Sequence, residues 1–92
     1  MKRIERKLFR ISDEIEALRR AEQLARDELT YHEHLNDDTQ RDAAVSDSPI
    51  DRADARETAS DVARFERHIT QLRERRERLE AKRTRLLGRI GD

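Results

Sequence analysis

Ile4, Leu8, Ile11, Ile15 and Leu18 stand at alternating intervals of four and three residues. The rhythm continues through Glu22, Ala25, Leu29 and His32. It returns in the second half as Val62, Phe65, Ile69, Leu72, Arg76, Leu79, Arg83, Leu86 and Ile90. This spacing keeps one narrow stripe of a helix facing a partner helix, the heptad seam of a coiled coil. Neither stretch holds a Pro or Gly before Gly88, and both are rich in Arg, Glu, Leu and Ala, which are good helix formers. Aromatic residues are only 3% of the chain, and β-branched residues are also few, so a sheet is disfavoured.

Residues 36–48 read NDDTQRDAAVSDS, where Asp, Asn and Ser favour caps and turns. Ser48 suits a helix N-cap, Pro49 suits the first helical position, and Asp51 stands three residues after the cap, where a capping-box acid belongs. The expected organisation of residues 1–92 is one all-α unit, an antiparallel two-helix coiled-coil hairpin. Helix 1 spans about 2–36, or continues to about 44. The acidic tip is about 37–48, and helix 2 about 49–88. Pairing positions that sum to 94 sets Ile4 against Ile90, Leu8 against Leu86, Ile15 against Leu79, Ala25 against Ile69 and His32 against Val62. The same register sets Arg76 against Leu18, Arg83 against Ile11 and Glu22 against Leu72. These interruptions are expected to cover the seam with their stems and keep their heads in water.

A second stripe runs off the seam of helix 1. Ala17, Ala21, Leu24, Tyr31 and Leu35 share one flank, with Glu28 completing the rhythm. Phe9 and Leu87 also fall outside the seam. A lone hairpin of this size buries little apolar area. Leu24, Tyr31 and Leu35 are therefore read as an association stripe, covered in a homodimeric four-helix bundle or by another protein. The competing reading is a wide core stripe with a phase shift in helix 1.

Net charge is zero, from 21 Lys+Arg and 21 Asp+Glu, but the charges are segregated. Residues 33–61 carry nine acids and only three bases, Arg41, Arg52 and Arg56. The remaining residues carry 18 bases and 12 acids, with a dense run at Arg73, Arg75, Arg76, Arg78, Lys82, Arg83, Arg85 and Arg89. In a hairpin, the acids gather at the bend and the bases at the open end. Such a field orients a molecule on a charged partner. Part of the pattern is the ordinary preference of acids for helix N-termini and bases for C-termini.

With 46% charged residues, no Cys and no apolar run of about 18 residues, the chain offers no thiolate zinc site and no membrane span. No Ser/His/Asp arrangement, P-loop or glycine-rich nucleotide motif occurs. His32 and His34 are two apart and point to different helix faces, so they make a poor metal pair. His68 is isolated. The expectation is a non-enzymatic, cytoplasmic protein-interaction module with no cofactor, no bound metal and no small-molecule substrate. Direct nucleic-acid binding through the Arg-rich stem is a further alternative. It is weakened by the lack of interleaved aromatics and by Glu74, Glu77 and Glu80 within the run.

The tip segment Asp47-Ser48-Pro49-Ile50-Asp51-Arg52-Ala53 resembles the coiled-coil tip of the DksA family, an Asp-x-x-Asp-x-Ala pattern with a Pro between the acids. Asp51 and Ala53 match the second acid and the alanine. Asp47 stands for the first acid, one residue further away than in the family pattern. The Gre transcript-cleavage factors share this layout of an acidic-tipped hairpin. The resemblance covers the tip only, without the Cys-rich zinc finger of DksA or the globular docking domain of Gre. It implies a transcription regulator that inserts its hairpin into the secondary channel of RNA polymerase. Asp47, Asp51 and Ala53 would be its working residues, with neighbouring Asp54 adding to the acidic tip.

Overall fold

The computed structural model describes residues 2–91. It is an all-α helical hairpin of two helices, α1 (Arg3–Val45) and α2 (Pro49–Gly91). Ser46, Asp47 and Ser48 make the turn. The last turn of α1 closes with the Ser46 N–H donating to the Asp42 carbonyl at 2.9 Å. The Ser48 N–H donates to Ser46 Oγ at 3.1 Å, tying the turn across itself. The Ser48 carbonyl accepts from the Arg52 N–H at 3.1 Å, the first bond of α2. Ser48 is thus the cap residue and Pro49 the first helical residue, where a missing N–H costs nothing. No helix among the described residues is long and apolar enough to cross a membrane.

The chain divides into two compact units. Met1–Gln23 and Thr70–Asp92 form the terminal unit, and Leu24–Ile69 form the turn unit. Each pairs a stretch of α1 with a stretch of α2.

In the terminal unit, Ile11, Ile15 and Leu86 are buried together, with Ile4, Leu8 and Leu79 packed against them. Glu22, only 2% exposed, lies at a seam position of the same unit. It does not meet Leu72 with its head in water. Arg76 Nε donates to its Oε2 at 2.5 Å and Arg76 Nη2 to its Oε1 at 3.1 Å, a two-pronged fork. Arg76 Nη1 reaches on to Glu80 Oε1 at 3.1 Å, and Arg19 Nη2 meets the same oxygen at 3.0 Å.

In the turn unit, Ala25, Ala55 and Ile69 are buried. His32 meets Phe65, with ring centroids 4.6 Å apart and planes 25° from parallel. Both departures from the expected partners have one cause. Side chains on a helix lean toward its N-terminus. On antiparallel helices the two leans run toward each other. Glu22 therefore moves from the level of Leu72 to that of Arg76, and Arg76 from the level of Leu18 to that of Glu22. His32 moves from Val62 to Phe65 in the same way.

Of the two ends considered for the first helix, the longer applies, and α1 runs without a break to Val45. Residues 37–45 are helical although their composition favours turns, because the seam continues through them in polar form. Thr39 Oγ1 and Thr58 Oγ1 meet at 2.6 Å, and the Thr58 hydroxyl also donates to Asn36 Oδ1 at 3.1 Å. Gln40 Nε2 donates to Asn36 Oδ1 at 3.0 Å and to the Ala55 carbonyl at 2.9 Å. Half-buried hydroxyls and amides that satisfy one another lose their reason to unwind the helix.

Candidate interaction surfaces

Leu24, Tyr31 and Leu35 follow one another at intervals of seven and four on α1, a spacing that repeats the seam's rhythm one face away. They are 62%, 61% and 36% exposed, so neither the seam nor α2 covers them. Tyr31 rests edge-on against the His32 ring, 5.4 Å between centroids, which fixes the phenol beside a seam residue. Ala17 and Glu28 on the same flank are exposed, and Ala21 is half-buried.

Two further exposed apolar residues escaped the sequence reading, Val45 at 88% and Ile50 at 72%. Val45 stands two heptads beyond Tyr31, with Asp38 at the step between, so its signal was a period interrupted by one acid. Ile50 was absorbed into the capping pattern. Phe9 and Leu87, noted from sequence only as lying outside the seam, line one groove in the terminal unit with Leu8 and Arg83.

The tip acids are not equivalent. Asp47 occupies the middle of the turn with its carboxylate exposed and ion-paired to Arg52 at 2.9 Å. Asp51 sits one turn into α2 at a seam position and is half-buried, while Ala53 and Asp54 are exposed. Among the described residues no group of three or more His, Cys, Asp or Glu side chains is placed to hold a metal ion.

The basic run of α2 is partly spent within the chain. Arg75 pairs with Glu14 across the terminal unit, Arg76 with Glu22 and Glu80, and Arg73 lies 3.8 Å from Glu77. The Glu80 carboxyl is held below the usual carboxylate range, first by the hydrogen bond from Arg76 and further by that from Arg19, against a smaller opposing effect of desolvation. Arg76 is correspondingly pushed up, first by its hydrogen bond to Glu22 and then by that to Glu80. Arg78 and Arg85 are exposed.

No protein-family model, curated protein or solved structure matches the chain.

Proposed function

We propose that this chain is a non-enzymatic interaction module, a helical hairpin that docks through the Leu24/Tyr31/Leu35 flank of α1. The observation that carries this reading is the exposure of three large apolar side chains on one helix face, beside a seam that is already filled. Grouped apolar side chains of this kind mark interaction sites, whereas single exposed ones do not. Tyrosine is also among the residues that dominate binding energy once covered. In the Leu24→Ala/Tyr31→Ala variant, helicity by circular dichroism should be unchanged and self-association by sedimentation equilibrium should be lost. Association that persists unchanged in this variant would remove the flank from the function.

A second reading, regulation of RNA polymerase through its secondary channel, is favoured by one observation. The turn presents Asp47 at its middle with a fully exposed carboxylate. The half-buried position of Asp51 makes Asp47 the more accessible acid. On this reading Asp47→Asn abolishes any effect of the protein on transcription by purified polymerase while leaving self-association intact. Asp51→Asn should act more weakly. A transcription effect that survives Asp47→Asn would count against the tip.

A further inference from the structure

Read along α1 alone, the flank that carries Leu24 and Tyr31 is divided by charge. On its N-terminal side it presents Lys7 and Arg10, both exposed. Next comes the apolar middle, from Ala17 to Leu35. On its C-terminal side it presents Asp38 and Asp42, also exposed. These residues continue the same alternation of three and four, so they share one face of a helix that runs unbroken from Arg3 to Val45. Among the described residues, Lys7, Arg10 and Asp42 form no ion pair within the chain, and Asp38 pairs only with Arg41 on the exposed surface. A basic–apolar–acidic order along one face is complementary to itself when reversed.

Building on the interaction-module reading, we infer that the occupant of this face is a second copy of the chain, with the two α1 helices packed antiparallel about a two-fold axis at Leu24. Such a contact is isologous and closes on itself. Pairs of positions then sum to about 48. Leu24 meets the Leu24 of the second copy. Ala17, with a side chain of one carbon, lies opposite Tyr31 and leaves room for its ring. Arg10 faces Asp38, and Lys7 comes beside Asp42. The axis repeats each of these contacts. A parallel pairing would instead set Tyr31 on Tyr31, Arg10 on Arg10 and Asp38 on Asp38. Like charges held together across an interface are strongly unfavourable, so charge selects the antiparallel arrangement.

The chain has no cysteine, so introduced thiols report proximity without interference. Arg10→Cys mixed with Asp38→Cys should form a disulfide-linked pair under mild oxidation, whereas neither variant alone should do so efficiently. In sedimentation equilibrium, Asp38→Arg should raise the dissociation constant by at least about tenfold, because the axis applies the reversal twice. Combining Asp38→Arg with Arg10→Asp should return it toward the original value. All these positions are exposed, and retained helicity verifies each variant's fold. Ready linkage of Asp38→Cys to itself would overturn the antiparallel arrangement. A helical monomer at every concentration would overturn self-pairing while leaving open a docking flank for a different protein. Association indifferent to Leu24→Ala/Tyr31→Ala would instead overturn the flank reading on which this inference rests.

Discussion

Replacing Ile15 with alanine is expected to lower the unfolding free energy by about 3 kcal/mol, within the usual range for emptying an enclosed aliphatic site. Ile15 is the one apolar side chain among the described residues with no exposed surface. It packs with Ile11 and Leu86, and Ile4, Leu8 and Leu79 close the cluster. No third layer backs this seam in the chain, so neighbouring side chains and water can fill part of the space. That places the cost in the middle of the range rather than at its top. For a small domain the loss is a large share of total stability, and the melting temperature should fall by roughly 15 °C. Phe9→Ala is the internal comparison. Phe9 is the larger side chain, but it is 60% exposed and should cost far less. Thermal and urea unfolding followed by circular dichroism decide the matter. Equal losses at the two positions would mean that enclosure in the seam is not what stabilises the terminal unit.

The helices were legible because heptad spacing is a geometric demand that few other structures make. The start of α2 was legible because Ser48 and Pro49 each have a specific job at a helix N-terminus. The exposure of Leu24 and Tyr31 followed from their phase relative to Ile15 and Leu18. The end of α1 was harder to read, since hydrophobic period carries no information where the seam is polar. Asn36, Thr39 and Thr58 occupy seam positions, but as single residues they are turn formers, and only their mutual hydrogen bonds make them helical. Pairing partners were missed for a different reason. A register drawn between backbone levels ignores the lean of side chains, and long ones such as Arg76 cross a full helical turn. The tip resemblance named Asp47 and Asp51 together, yet a seam position half-buries one and the turn exposes the other.

That lean also turns two apparent defects into one interaction, with a second large consequence. Arg76→Leu should lower the melting temperature by roughly 10 °C or more, although it adds an apolar side chain to a seam position. It would leave the Glu22 carboxylate, 2% exposed, without the guanidinium that donates two hydrogen bonds to it. Glu22→Leu/Arg76→Leu should recover the wild-type melting temperature or exceed it, because two leucines satisfy the seam without desolvating any charge. Acid titration gives an independent reading of the same network. The folded-state pKa of Glu80 is depressed, with Arg76 the leading cause. Its stabilising contribution is therefore present above the ordinary carboxyl pKa and is lost as pH falls through the depressed value. Without Arg76, Glu80 keeps only Arg19, so the double variant should lose less stability on acidification than the wild type. A double variant as unstable as Arg76→Leu alone would show that the ion pair contributes more than apolar packing at these two positions. In that case Glu22 and Arg76 would be stabilising the hairpin as well as choosing its register.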